Sequence, residues 1–249
     1  MRFEAVLFDC DGVLVDSEPI TIGVLRDMLE ELGWKLTQQE CMALFVGKTV
    51  RAEAGLIQER TGVPVTDAWL ARFRARRNEA LERDLVAIRN IHAAVAALHE
   101  RHQGRIACAS GADRFKVELQ LRKVGLIQYF EGRIFSGMEL AHSKPAPDVY
   151  LAAARALSVD PKRCAVVEDT LTGVTAGVAA GATVFGYSPP RPAMVRPRPC
   201  AGPAPCTSSP TWRSCPRSSN RGPHEPRSGN GPGREVRAVW PRGAARSRK

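Results

Sequence analysis

Apolar and polar positions follow two different periods along the first 188 residues, and the switches between them mark the elements. Glu4 to Asp9 is a short apolar run that breaks off at an acidic residue, the pattern of a buried strand. Ser17-Glu18-Pro19 opens a helical pattern, with Ser17 suited to the N-cap and Glu18 and Pro19 to the first turn. Leu25, Met28, Leu29 and Leu32 follow at helical spacing, and Gly33 ends the helix. Helical patterns continue over Gln38–Phe45, Arg51–Thr61 and Asp67–Asp84 without a strand signal. Residues 17 to about 88 are therefore expected to form an all-helical insertion.

Strand and helix alternate after it. Ile91–His102, Asp113–Val124, Pro147–Leu157 and Leu171–Ala180 read as helices. Arg105–Ala109, Arg133–Phe135, Cys164–Glu168 and Thr183–Phe185 read as short strands between them. Such alternation predicts an α/β fold, a parallel sheet covered on both faces and joined by right-handed crossovers.

The pattern stops after Ser188. Thirteen of the 18 prolines lie from Pro189 onward, where Arg, Gly and Ser fill most of the remainder. Residues 189–249 are expected to be a disordered tail. Its composition is that of an out-of-frame translation of a GC-rich gene, the reading preferred to a basic interaction tail.

Charge reinforces the division. The whole chain of 249 residues carries +10, but the tail holds twelve Arg and one Lys against two Glu. The remaining 23 basic and 24 acidic residues leave the folded part near neutral, with no nucleic-acid partner expected for it. Seven scattered cysteines without a Cys-x-x-Cys pair point to a reducing, cytoplasmic setting. Neither a cleavable leader nor a membrane span is expected, and a monomer is favoured.

Candidate chemistry begins where the first strand ends. Asp9 and Asp11 stand two apart, so they share a face as the strand gives way to a turn, and Gly12 follows at once. In open α/β sheets ligands gather beyond the carboxyl ends of strands. Ala109-Ser110-Gly111, Ser143-Lys144-Pro145 and Glu168-Asp169-Thr170 end or follow further predicted strands. A nucleophilic acid, a second acid, a hydroxyl, a lysine and an acidic pair are the parts of a phosphoryl-transfer site.

In these segments the chain resembles the haloacid dehalogenase superfamily, within it the β-phosphoglucomutase-like phosphatases. Phe8-Asp9-Cys10-Asp11-Gly12-Val13-Leu14-Val15-Asp16-Ser17-Glu18 is similar to that subgroup's first motif, and Ile106-Ala107-Cys108-Ala109-Ser110 to its second. Ser143-Lys144-Pro145-Ala146-Pro147-Asp148 resembles the third, and Val166-Val167-Glu168-Asp169-Thr170-Leu171-Thr172-Gly173 the fourth. The resemblance implies a Rossmann-like core from residues 1–16 and 89–188, with residues 17–88 as a helical cap domain. It makes Asp9 the nucleophile and Asp11 the proton donor and acceptor. Ser110 and Gly111 would hold the phosphate, and Lys144 would offset its charge. Mg²⁺ would be held by Asp9, the backbone carbonyl of Asp11 and Asp169, with Glu168 in its ligand shell.

The same resemblance places Lys48, in Phe45-Val46-Gly47-Lys48-Thr49, on a cap loop that reaches substrate, and makes Arg77 the cap arginine of interest. His92, His99 and His102 share one helix and are read as surface residues. Asp11 speaks against a dehalogenase, whose halide leaves without a proton. Thr21 stands where the mutase carries a hinge histidine, which favours a phosphatase of small phosphorylated sugars or sugar acids over a phosphomutase. Arg89-Asn90 replaces the family's Pro-Gly turn, and the Pro/Arg-rich tail replaces its last helix and strand, leaving the sheet edge at Thr183–Phe185 short of cover.

Overall fold

The structure is a computed structural model that describes residues 2–188, and the expected tail lies outside the described residues. Five parallel strands stand in the order β3-β2-β1-β4-β5: β1 (Ala5–Phe8), β2 (Ile106–Ser110), β3 (Ile134–Ser136), β4 (Cys164–Glu168) and β5 (Thr183–Gly186). The fold is α/β and Rossmann-like. The chain leaves β1 for β2 and β3 on one side, then returns to β4 and β5 on the other. That reversal opens a crevice beyond the carboxyl end of β1.

The pleat decides which helices cover which face. Val6 and Phe8 of β1 point into a core shared with Ile91 and Val95 of α5 (Ile91–Arg101) and Val117 and Leu121 of α6 (Arg114–Lys123). Ala5 and Leu7 point the other way, against Val149 and Ala153 of α7 (Asp148–Ala156) and Ala176 of α8 (Leu171–Ala179). With both faces covered, the strands are apolar but for polar residues at their ends, as the continuous hydrophobic runs foretold.

Between β1 and α5 lie α1 (Glu18–Glu31), α2 (Gln38–Phe45), α3 (Ala54–Thr61) and α4 (Asp67–Asp84). They close on their own apolar centre of Leu25, Leu29, Phe45, Ile57, Trp69 and Phe73. Thr37 and Glu40 form a reciprocal capping box at the start of α2. The insertion joins the sheet through two adjacent segments, where Val15 bridges Ala87 and the Asp16 N–H donates to the Val86 carbonyl over 3.0 Å.

Three local features differ from the sequence reading or extend it. The third helix starts at Ala54 instead of Arg51, because residues 51–53 are held in turns by Thr49, whose hydroxyl accepts from the Ala52 N–H. Ser17 occupies the N-cap of α1 but caps nothing, since its hydroxyl donates to Asp11. Asn90 takes φ +66° before α5, the left-handed conformation that asparagine tolerates in a glycine's place.

Candidate active site

The ends of β1, β2 and β4 deliver the polar residues to one mouth. Asp9 directly follows β1, Ser110 closes β2, and Glu168-Asp169 closes β4 and begins the turn into α8. Lys144 comes from the loop before α7. Its Nζ donates to Asp9 Oδ1 and to Glu168 Oε1, each over 2.7 Å, and sits 4.8 Å from the centre of the Tyr150 ring. Lys144 and Asp9 are both only 8 % exposed at the side chain, so the ion pair works in a low dielectric.

Glu168 is saturated. Its Oε1 accepts from Lys144 and from the Tyr150 hydroxyl, and its Oε2 from the Asp169 N–H, the Thr170 N–H and the Thr170 hydroxyl. Asp169 is the opposite case, for its Oδ1 is buried without a hydrogen-bond partner. Carboxylate oxygens of Asp9, Glu168 and Asp169 lie within 4.8 Å of one another.

Three acids against one lysine leave a negative surplus, and proton affinities register it. Burial pushes the Asp9 carboxyl up to about 7, with Lys144 pulling against it and Glu168 and Asp11 adding to it. Burial, then the charges of Asp9, Glu168 and Glu18, lifts Asp169 to about 8. Glu168 is buried too, yet Lys144 and its hydrogen bonds hold it below the ordinary carboxylate range. An all-oxygen donor set, a surplus of negative charge and an orphaned carboxylate oxygen fit a hard divalent cation such as Mg²⁺.

Asp11 belongs to a second cluster. Lys116 Nζ donates to its two oxygens over 2.8 and 2.9 Å, Gln120 Nε2 to Oδ1 over 2.8 Å, and the Ser17 hydroxyl to Oδ1 as well. Burial would raise this carboxyl, but Lys116 and the hydrogen bonds of Ser17 and Gln120 bring it down to about 2.

A cleft of about 410 Å³ runs from these groups to the helical insertion. Asp9, Asp11, Ser110, Gly111, Lys144 and Glu168 line it on the sheet side, and Lys48 and Arg77 of the insertion line it too. Ser110 is buried, and its hydroxyl accepts from the Ala112 N–H, fixing the turn after β2. Lys48 is half exposed and pairs with Glu53 at 3.2 Å. Arg77 is buried and pairs with Asp113 at 3.2 Å, so it links α4 to the N-cap of α6. Thr21 lines the cleft with a buried hydroxyl oxygen that has no partner. Asp169 stands behind the mouth, beside Gly12.

Lys116, Gln120 and Tyr150 were not singled out from the sequence. Each is one polar residue on a helix, where its spacing reads as ordinary solvated face. Two glycines prove as specific as the acids. Gly12 has φ +74°, and a Cβ there would stand 1.9 Å from Asp169 Oδ2. A Cβ on Gly173 would stand 1.6 Å from Glu168 Oε1. Gly173→Ala should therefore destabilise the protein. The gain of about 1 kcal/mol in helix propensity is outweighed by overpacking of about 1–3 kcal/mol and by disturbance of the Glu168 bonds. Urea unfolding checks this, and a variant as stable as the parent would contradict the tight Glu168–α8 contact.

A parallel sheet that gathers a buried acidic centre around one lysine at its carboxyl edge, beside a helical insertion, defines the α/β class to which this chain belongs. A family model for haloacid dehalogenase-like hydrolases matches residues 3–181, and the chain belongs to that family. The 6-phosphogluconate phosphatase of Escherichia coli K12 is 29% identical over 187 residues, which cover 75% of this chain and 83% of that protein. The fructose-1-phosphate phosphatase YqaB of the same strain is 29% identical over 180 residues, covering 72% and 94%. A HAD family hydrolase from Deinococcus radiodurans R1, solved with bound phosphate and sodium, shares 35% identity at a TM-score of 0.61, over 74% of this chain and 80% of its own.

Proposed function

We propose that this chain is a cytoplasmic, Mg²⁺-dependent phosphatase that hydrolyses a small phosphorylated sugar or sugar acid through an aspartyl-phosphate, with the helical insertion as its cap. The observation that carries this reading is the acidic centre itself: Asp9 at the crevice, 2.7 Å from Lys144, with the unpartnered oxygen of Asp169 beside it. The named relatives act on phosphorylated sugars or sugar acids, which suits a cleft lined by hydroxyl, acidic and basic groups together. The four described cysteines are free and buried, in keeping with a reducing compartment, and no described helix is long and apolar enough to cross a membrane.

Asp9 and Asp169 would hold Mg²⁺, with the backbone carbonyl of Asp11, while Glu168 adds its charge to the ligand shell and orients Lys144. When bound, the metal neutralises charge on the phosphoryl oxygens. Ser110 and Gly111 hold the phosphate at the end of β2. Asp9 attacks phosphorus, the ester P–O bond breaks, and the leaving oxygen takes a proton from Asp11. Asp11 rests as a carboxylate beside Lys116, and a phosphate dianion bound nearby raises its proton affinity. Asp11 then takes a proton from water, whose oxygen attacks the phosphoaspartate, releasing inorganic phosphate and Asp9. Lys144 keeps its charge throughout, since Asp9, Tyr150 and Glu168 outweigh the effect of its burial.

Release of inorganic phosphate from a panel of sugar phosphates, sugar-acid phosphates and phosphoglycolate, with and without Mg²⁺, tests the reading. Turnover of at least one compound that stops with EDTA and returns with Mg²⁺ is the expected result. Folded protein that releases no phosphate from any of them would refute it.

A further inference from the structure

We propose that Lys116 is a positioning residue for the proton-transfer acid Asp11, held to that task by Gln120, Ser17 and the α6 N-cap; this rests on the phosphatase reading above. Lys116 is buried at 7 % exposure, on the first turn of α6, and its ammonium bridges both oxygens of Asp11. Asp11 itself is 24 % exposed at the side chain, with its open side toward the cleft. The carboxylate is thus gripped at the cleft wall, where Lys116 and Ser17 line the same cleft.

The grip is specified in detail. Gln120 is fully buried and donates its amide to Asp11, while its carbonyl accepts from the Cys10 thiol, which fixes the orientation of the amide. Asp113 caps α6 by accepting from the Lys116 N–H over 2.9 Å, and its other oxygen pairs with Arg77 of the insertion. The backbone from which Lys116 projects is therefore tied to both parts of the fold.

Stability does not account for such a pair. Replacing a buried ion pair by apolar groups is often neutral or favourable, because desolvation offsets the attraction. Orientation is what the pair supplies. Two contacts to one carboxylate restrict its χ rotation, and proton transfer demands an acid within hydrogen-bond reach of the leaving oxygen.

A leaving-group comparison separates this role from a general structural one. Departure of a sugar alkoxide needs a proton, whereas acetate leaves acetyl phosphate without one. The ratio kcat/KM reports events through departure of the leaving group, so the later water attack does not enter. In Lys116→Met, kcat/KM for fructose 1-phosphate, or for the fastest sugar phosphate of the panel, should fall roughly 100-fold. For acetyl phosphate it should fall less than about 5-fold, and Lys116→Arg should recover part of the sugar-phosphate loss. Ser17→Ala removes a lighter Asp11 partner and should shift the ratio in the same direction by less, which keeps the test open if Lys116→Met fails to fold. Equal losses on both substrates, or no loss on either, would overturn the positioning role while leaving the phosphatase reading intact. A parent protein inactive on both would overturn that reading, and this inference with it.

Discussion

Asp9→Asn should release phosphate at least about 10⁴-fold more slowly than the parent, because the attacking oxygen is gone. Binding should survive the loss, since Ser110, Gly111 and Lys144 are untouched. The same substitution should change how stability responds to pH. Burial lifts the Asp9 pKa from 3.8 to about 7, against the pull of Lys144 and with the help of Glu168 and Asp11. A raised carboxyl binds its proton more tightly folded than unfolded. Its contribution is full below pH 3.8 and is lost as the pH climbs toward 7. At about 1.4 kcal/mol per pK unit, the loss is on the order of 4 kcal/mol. Without divalent cations, the parent should melt lower at pH 8 than at pH 5. Asp9→Asn should show a flatter profile, since it removes this group and also the Asp9 charge that helps raise Asp169. Melting curves in EDTA and with Mg²⁺ check this. Parent-like turnover in the variant would remove Asp9 from the nucleophile's place, and equal pH slopes would dismiss the buried-acid account.

Removing Lys144 should cost both fold and activity. Lys144→Met leaves Asp9 and Glu168 facing each other without the ammonium that now contacts both at 2.7 Å. Taking one partner from a buried ion pair costs about 3–5 kcal/mol, far more than the pair's net worth. Phosphate release should drop by about 10²–10³-fold, as when a preorganised charge is deleted from a reacting centre. Lys144→Arg keeps the charge but spreads it over a planar fork too wide for the place above Tyr150, so rescue should be partial. Urea unfolding with phosphate-release kinetics at saturating Mg²⁺ measures both effects. A Lys144→Met protein within about 1 kcal/mol of the parent would show that the acids are balanced elsewhere.

Much of the fold was legible because its elements obey simple periods. All ten strand ends fall within one residue of the observed ones and the helix boundaries within three, since short apolar runs and capping signals such as Thr37 act locally. The acids at the strand ends were legible for the same reason: Asp9, Asp11, Glu168 and Asp169 interrupt apolar runs where sheet topology puts ligands. Lys116 and Gln120 were not, because nothing in their neighbours tells whether α6 turns those positions to water or to Asp11. Ser17 misled for a related reason. A serine before a helix normally caps it, and only the proximity of Asp11 in space redirects the hydroxyl. Lys48 and Arg77 do reach the cleft, but their pairing with Glu53 and Asp113 is long-range or loop-borne and leaves no periodic trace.

The strand order carries a consequence for how the chain matures on the ribosome. Phe8 of β1 and Val167 of β4 are register partners, though nearly the whole described chain separates them. During synthesis the first strand therefore waits, one flank open, until the fourth has emerged. Through that interval Asp9 lacks Glu168 and Asp169, two of the acids that crowd it in the finished fold. The acidic centre is thus completed late, when β4 docks, and a nascent or truncated chain without that strand lacks Glu168 and Asp169 altogether.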